Sequence, residues 1–317
     1  MMQQTREPRY KVEKIIGNGC FGHVFEVTDL VSNNKYALKR MIKTSQKISR
    51  EYEVLELLRG SENVIHLEDF FYSVNFKGSL IQNFVFEHCQ ANLEDVLVNH
   101  IKGKFALDYK TIKRLMFKLT QGLKALHING IAHRDFKPEN VLIKDGEVKI
   151  ADLGSAKILM EINSPYVVSR YYRAPELILG ISEYNLSIDM WALGVMFFEF
   201  LFKKLPFKGK TEGHHLLEIL RSLGIPSPEV QQSYKKRLGS FYVNQFELLW
   251  TIETGELLWK QIEKLHISTS EKANVKKFLE QCWSYDFENR LNAINAVDSE
   301  FFDDVRNNDI KLNLIVN

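Results

Sequence analysis

Two patterns of hydrophobic and polar residues divide the chain. Up to residue 86, short apolar runs alternate with turn residues such as Asn33 and Asn34, which is typical of β-strands joined by tight turns. Strands are predicted at residues 12–16, 23–29, 36–41, 67–72 and 81–86. One helix is predicted at 49–58, with Gly60 as its stop. Its apolar side is predicted to carry Val54, Leu55, Leu57 and Leu58.

After residue 90 the pattern becomes helical. Asp108 is a candidate N-cap for a helix that continues to Gly130, with apolar residues at helical spacing. Residues 187–202 are apolar on nearly all sides, which predicts a helix in the middle of a helical lobe. Further helices are predicted at 215–223, before Gly224, and at 273–283. The boundary between a β-rich part and a helical part is predicted at residues 87–91.

Composition narrows the class of protein. The chain has 317 residues, with 42 Lys and Arg against 40 Asp and Glu, so its net charge is only +2. Such a small net charge argues against a polybasic protein that binds nucleic acid or membrane surfaces through its overall charge. Cys20, Cys89 and Cys282 are too few, and wrongly spaced, for a disulfide framework or a metal cluster. Residues 1–9 lack the apolar core of a signal peptide, so a cytoplasmic or nuclear location is expected.

A glycine-rich run lies between two predicted strands: Gly17-Asn18-Gly19-Cys20-Phe21-Gly22. Glycines allow backbone N–H groups to approach phosphate oxygens closely, and the flanking strands favour a hairpin over a nucleotide. An ordinary glycine turn is the alternative. Lys39, at the end of a later strand, could hold phosphates, and Glu51 could pair with it. Taken separately, both side chains could simply be solvated.

Residues 133–140 form the most specific motif: His133-Arg134-Asp135-Phe136-Lys137-Pro138-Glu139-Asn140. A carboxylate that orients a hydroxyl, a lysine for the moving phosphate and an amide for Mg²⁺ form a phosphoryl-transfer set, supplied by Asp135, Lys137 and Asn140. Asp152, in Asp152-Leu153-Gly154 after a short predicted strand, is the natural second Mg²⁺ ligand.

In this order, and over about residues 10–303, these motifs resemble a eukaryotic protein kinase. The resemblance extends to Ala174-Pro175-Glu176, to Asp189 in the central helix and to Arg290 as the partner of Glu176. It implies an α+β, bilobal protein kinase fold: an antiparallel β-sheet N-lobe with one helix at about 10–88, and a larger helical C-lobe at about 89–303. Residues 1–9 would be an N-terminal extension and 304–317 a C-terminal tail. Leu153 and Phe136 depart from the usual residues but remain apolar.

The resemblance also implies ATP and Mg²⁺ as cofactors and protein substrates as partners. The adenine would lie between Ile16, Val24, Ala37 and Leu142, and would bond to the backbone of residues 87–89, including Glu87 and Cys89. Phe86 would narrow the pocket behind it. The glycine-rich loop, through Gly17, Asn18, Gly19 and Gly22, would cover the phosphates, and Lys39 would bind them.

A second set of motifs indicates the branch. The run Ser169-Arg170-Tyr171-Tyr172-Arg173 resembles the group of cyclin-dependent, mitogen-activated and glycogen synthase kinases, in which Arg173 restrains the activation segment and helps favour proline after the phosphorylated residue. This resemblance implies a serine/threonine kinase that is proline-directed, phosphate-primed or both. Ser155-Ala156-Lys157 and Ser49-Arg50-Glu51 are similar to the glycogen synthase kinase branch. That resemblance implies a basic pocket of Arg50, Arg134 and Lys157, which could read a phosphate already present on the substrate.

Ser164 and Tyr166 leave an alternative open. Ser164 stands where cyclin-dependent and mitogen-activated kinases carry an activating phosphate, so a phosphate on it could fill the basic pocket of the same molecule. An upstream kinase or a scaffold is then a possible partner. A pseudokinase scaffold is the rival from another class, and the retained set of Lys39, Glu51, Asp135, Asn140 and Asp152 argues against it.

Overall fold

The computed structural model describes residues 9–19, 22–44, 47–159, 163, 170–238, 258–306, 311, 312 and 314. Its first part is a five-stranded antiparallel sheet in the order β1-β2-β3-β5-β4. The strands are β1 (Tyr10–Gly19), β2 (Gly22–Asp29), β3 (Lys35–Ile42), β4 (Leu67–Val74) and β5 (Leu80–Glu87). The five predicted strands are confirmed, each extended by one to five residues in total. Strand β5, which lies between β3 and β4, is the most buried strand of the sheet, whereas β1 at the edge is mostly exposed.

The predicted helix of this lobe is α1 (Arg50–Leu57), and it packs on the sheet. Val54, Leu55 and Leu58 are buried as expected, but the placement of Leu57 was wrong because that side chain is 52% exposed. At 100° per residue, positions 51, 54, 55 and 58 share one face and position 57 points away from it. Glu51 therefore takes the buried place, at 4% exposure.

The second part is mainly helical. In chain order the helices are α2 (Leu93–Ile101), α3 (Tyr109–Ile128), α4 (Pro175–Ile178), α5 (Ile188–Phe202), α6 (Glu212–Leu223), α7 (Pro228–Arg237), α8 (Trp259–Ile262), α9 (Thr269–Cys282), α10 (Ala293–Val297) and α11 (Asp303–Arg306). The short strands are β6 (Ala91–Asn92), β7 (Ile131–Ala132), β8 (Val141–Lys144), β9 (Glu147–Ile150) and β10 (Lys157–Ile158). The two-part arrangement with a small antiparallel sheet and a larger helical lobe is confirmed.

Helix α5 lies at the centre of the larger lobe. Its Trp191 and Phe197 are fully buried, and α3 and α9 pack beside it. Because both flanking helices cover it, α5 needs no polar face, as its sequence predicted. Helix α3 begins as predicted, since the Asp108 carboxylate accepts a hydrogen bond from the Thr111 N–H at 2.7 Å.

Some helix starts differ from the sequence reading. Helix α9 begins four residues before position 273, because Ser268 and Glu271 form a capping box that satisfies the first N–H groups. Helix α6 begins three residues before position 215, with Thr211 as its cap. Pro138 is the first residue of a short 3₁₀ turn, Pro138–Asn140, which directly precedes β8. Of the described helices, none is long and apolar enough to span a membrane.

Candidate active site

Residues 133–140 form the catalytic loop, and a carboxylate from the core of the larger lobe holds the backbone of this loop. Asp189, on α5, accepts hydrogen bonds from the His133 N–H at 2.8 Å and the Arg134 N–H at 3.0 Å. His127 binds the same carboxylate at 3.1 Å. Burial acts against charge on Asp189, but these partners outweigh it and hold the pKa of Asp189 below its usual value. The sequence reading used Asp189 only to mark the central helix and missed this role.

Asp135, Lys137 and Asn140 lie together at this loop. The Lys137 ammonium is 3.0 Å from Asp135 Oδ2. Asn140 Nδ2 donates to the same oxygen at 3.0 Å and to the Asp135 carbonyl at 2.8 Å. The Asp135 side chain is therefore fixed in place while remaining partly exposed at the cleft. Such a carboxylate can orient a hydroxyl group and accept its proton.

Lys39, Glu51 and Asp152 form a second group, contributed by three separate elements. The Lys39 ammonium lies 2.7 Å from Glu51 Oε1 and 2.9 Å from Asp152 Oδ1. Burial acts against charge on Lys39, but the two carboxylates outweigh it and hold the pKa of Lys39 above its usual value. The ammonium thus stays charged in a largely buried position, where it can bind an anion.

Asp152 has an unusual backbone conformation. Its φ is 53°, in the left-handed region that non-glycine residues rarely adopt, and Leu153 after it is buried in the core. Burial pushes its pKa up, but the bond to Lys39 and the charges of Lys39, His133 and Lys137 together outweigh burial, so the pKa of Asp152 lies below its usual value. A charged carboxylate is therefore presented next to Lys39.

The glycine-rich run ends β1 and begins β2, with Gly17 opposite Val24 and Gly19 opposite Gly22, and Val24 in turn pairs with Lys39 of β3. Gly22 has φ 148°, and a Cβ there would lie 2.1 Å from the Arg40 carbonyl oxygen. No other residue type fits without moving β3, which explains this glycine. Asn18 lies opposite His23, whereas Cys20 falls outside the described residues.

The predicted adenine residues come from both lobes. Ala37 pairs with Phe86 across β3 and β5, and Val24 pairs with Lys39 across β2 and β3. Phe86, Cys89 and Leu142 pack around the same apolar cluster. Ile16 is 44% exposed at the outer rim. Phe86 and Leu142 thus bring the sheet and the β8–β9 hairpin together in one apolar cluster.

The segment that joins the lobes is fixed by its side chains. Glu87 accepts from Lys144 at 2.8 Å and from the His66 N–H at 3.1 Å. Within the described residues, the Cys89 N–H and C=O make no backbone hydrogen bond, so both can serve a ligand. Burial raises the pKa of the Cys89 thiol to about 12, and the charge of Glu87 adds to this effect.

The three cations assigned to the basic pocket lie close enough to repel one another. Burial and then the charges of Arg134 and Arg50 lower the pKa of Lys157. Burial also lowers the pKa of Arg134, and Arg50 acts in the same direction. Among described residues, Arg134 Nε is a buried donor without a hydrogen-bond partner. These are features of a site that would be stabilised by an anion.

Asn163 also contributes to this pocket, and the sequence reading missed it. Its side chain accepts from the Lys157 ammonium at 2.9 Å, and its N–H donates to the Ser182 carbonyl at 2.9 Å. A single asparagine outside any recognised motif gives no signal in the sequence. Ser164 and Tyr166, which follow it, lie outside the described residues.

Two arginines hold the end of the activation segment. Arg173 pairs with Glu212 at the start of α6. Arg290 pairs with Glu176 through two bonds of 2.6 and 2.9 Å. The segment is therefore tied to the helical lobe at both residues.

Comparisons with known proteins agree with this geometry. The protein kinase domain family matches residues 10–302. Glycogen synthase kinase 1 of Pyricularia oryzae is 32% identical over 98% of this chain and 76% of its own length. Serine/threonine-protein kinase RIM11/MSD1 of Saccharomyces cerevisiae is 31% identical over 96% of this chain and 80% of its own, and protein kinase gsk3 of Schizosaccharomyces pombe is 29% identical over 98% and 78%. The chain therefore belongs to the protein kinase family and is a serine/threonine kinase of the glycogen synthase kinase 3 type.

Proposed function

We propose that this kinase transfers the γ-phosphate of ATP to Ser or Thr residues of proteins that already carry a phosphate beyond the acceptor. The observation that carries the proposal is the closeness of Arg50, Arg134 and Lys157: burial, and then the charges of Arg134 and Arg50, lower the pKa of Lys157. An unpartnered, buried Arg134 Nε among the described residues adds a donor for that phosphate.

In this proposal each residue of the cleft has one task. The glycine-rich hairpin covers the phosphates, and Lys39, held by Glu51, binds them. Asp135 orients the substrate hydroxyl and takes its proton, while Lys137 neutralises charge on the moving phosphoryl group. The adenine lies among Ile16, Val24, Ala37 and Leu142, next to the Glu87 to Cys89 backbone.

The donor set also fits Mg²⁺. Asp152 offers a carboxylate, and Asn140 uses its Nδ2 to bind Asp135, so its Oδ1 is not spent in that bond. Hard divalent cations prefer such oxygen ligands. When bound, Mg²⁺ would neutralise phosphate charge and fix the geometry of the transferred group.

The proposal is tested with one Ser-Pro peptide in two forms, unmodified and with phosphoserine four residues C-terminal to the acceptor. We expect the primed form to be preferred at least tenfold in kcat/KM, which is about 1.4 kcal/mol. Arg50→Ala should remove that preference while leaving the unprimed rate unchanged. Arg59→Ala, an exposed arginine just after α1, is the matched control and should keep it.

Equal rates for both peptides would contradict priming without contradicting kinase activity. If phosphate were then found on Ser164 or Tyr166, the basic pocket would instead serve self-activation, as in mitogen-activated or cyclin-dependent kinases. Mapping the protein's own phosphosites in the same samples separates these outcomes.

A further inference from the structure

The C-terminal tail contacts the turn of the β8–β9 hairpin. Leu312 and Leu314 are buried in the core of the larger lobe, at 4% and 8% exposure. The Leu312 N–H donates to the Gly146 carbonyl at 3.0 Å. Gly146 has φ 82°, and a Cβ there would lie 3.1 Å from both the Lys311 Cβ and the Leu312 carbonyl oxygen. The tail therefore lies directly against this turn.

The same turn is bonded to the segment that joins the lobes. Gln90 Nε2 donates to Asp145 Oδ1 at 2.8 Å, and the Asp145 N–H donates back to Gln90 Oε1 at 3.1 Å. Lys144 binds Glu87 at 2.8 Å. On the other side of the turn, Glu147 accepts from Lys118 of α3 at 2.7 Å. The turn thus joins the tail, α3 and the connecting segment.

The opposite end of this hairpin carries the candidate nucleotide groups. Leu142 lies in β8, and Asn140 directly precedes β8. Asp152 is the second residue after the end of β9. The Ala151 N–H donates to the Asn140 carbonyl at 2.8 Å, which fixes the two metal-ligand candidates relative to each other. Each strand has four residues, about 13 Å, so a shift at the turn is transmitted to these groups.

We propose that Leu312 is a positioning residue for the nucleotide. Its N–H holds the Gly146 carbonyl, and its side chain packs in the core that also contains Ile143 and Val148 of the hairpin, so it fixes where Leu142 and the connecting segment lie in the adenine site. This proposal rests on the nucleotide site of the proposed function. The tail residue touches neither substrate nor nucleotide, and it acts through the hairpin. Small displacements of groups that position a substrate are known to cost large factors in rate.

The test compares Leu312→Ala with Leu279→Ala, which empties an equally buried leucine position in α9, away from the hairpin. Steady-state kinetics give KM for ATP and for the peptide separately, and calorimetry gives the affinity for a non-hydrolysable ATP analogue. We expect Leu312→Ala to raise two constants about fivefold: the KM for ATP and the Kd for the ATP analogue, together called the ATP constants. The KM for the peptide should stay within about twofold. Leu279→Ala should lower the melting temperature and leave the ATP constants unchanged.

Leu312→Ile, which keeps a side chain of similar volume, should have the same ATP constants as the unmodified protein. Gly146→Ala, whose new methyl group would press on the tail, provides an independent route to the same defect if Leu312→Ala folds poorly. The proposal is overturned if Leu312→Ala and Gly146→Ala leave the ATP constants unchanged, or if Leu279→Ala raises them equally. Failure of the unmodified protein to bind the analogue would instead contradict the nucleotide site.

Discussion

Arg290 and Glu176 form a two-bonded ion pair in which neither side chain reaches solvent. The pair joins the helix that ends the activation segment to the loop before α10. The Arg290 guanidinium also lies over the Trp191 ring, 5.1 Å from its centroid. A buried charge pair of this kind depends on both partners being present.

Arg290→Ala should therefore lower the free energy of unfolding by about 3–5 kcal/mol, because it leaves the Glu176 carboxylate buried and unpaired. Arg221→Ala, which breaks the exposed pair with Glu218, should cost about 1 kcal/mol or less. Urea unfolding measures both. Equal losses in the two variants would show that burial of the Arg290 pair adds nothing to stability.

Asp135→Asn should abolish transfer while leaving ATP binding largely intact, because the amide cannot accept the hydroxyl proton. We expect kcat to fall by about 10²–10⁴-fold, with the affinity for a non-hydrolysable ATP analogue within about threefold. Asp298→Asn, at an exposed site, serves as the control. Unchanged phosphorylation of a peptide by Asp135→Asn would rule out the assigned role.

Lys39→Met should reduce both activity and stability, because Glu51 would lose the partner that compensates its burial. The expected loss of stability is about 3–5 kcal/mol. Adding Glu51→Gln should recover part of the stability and none of the activity. Thermal unfolding and peptide kinetics of the single and double variants test this, and recovery of activity in the double variant would contradict a phosphate-binding role for Lys39.

Glu199 predicts a specific pH dependence. Burial raises the pKa of Glu199 to about 7, the Tyr172 hydroxyl that bonds to it at 2.7 Å acts against this, and the charges of Glu94 and Glu139 add to the rise. Since the unfolded carboxyl releases its proton near 4.5, the folded protein holds more protons between pH 4.5 and 7. Stability contributed by Glu199 is therefore full below pH 4.5 and is lost as pH rises to 7.

The loss should reach about 3 kcal/mol or less. It is measured as the difference in unfolding free energy between the unmodified protein and Glu199→Gln across pH 4.5 to 8, since the amide does not titrate. Parallel profiles of the two proteins would contradict the raised pKa.

Cys89 should react slowly with iodoacetamide. With its pKa near 12, the thiolate at neutral pH is about a thousandfold scarcer than for an ordinary thiol of pKa 9. The proposed adenine site would place ATP beside Cys89, so ATP should slow the labelling of Cys89 further. The sequence places Cys20 within the glycine-rich run, and it therefore predicts protection of Cys20 as well. Mass spectrometry of labelled peptides measures both sites, and equal labelling with and without nucleotide would contradict their placement.

The sequence predicted most of this fold because each half follows one periodicity. The five strands have alternating patterns with turn residues between them, and α5 is apolar on every side, so both types were recognisable from local sequence. Leu57 was misplaced because hydrophobicity alone does not say which of several neighbouring leucines lies on the buried face. Glu51 decided that question through its bond to Lys39, a partner 12 residues away in the sequence.

The candidate site was predictable where a motif carries it and unpredictable where it depends on long-range contacts. The motif at residues 133–140 contains the three candidate groups Asp135, Lys137 and Asn140 close together in the sequence. Asn163 and Leu312, in contrast, acquire their contacts with Lys157 and Gly146 only through the fold. Asn163 is an isolated residue that no pattern marks. The apolar patch of Leu312, Leu314, Ile315 and Val316 predicts packing on the helical lobe, but not the bond of Leu312 to Gly146.

The bonds from Asp189 to the His133 and Arg134 amides have a consequence for how the protein moves. They anchor the catalytic loop to the helix at the centre of the larger lobe, whereas Lys39 lies in the sheet of the smaller lobe and Glu51 in its helix α1. If the smaller lobe moves when nucleotide is exchanged, as the proposed function requires, we therefore expect Asp135 to keep its position relative to the larger lobe. Release of one product then need not disturb the place where the next substrate hydroxyl will be received.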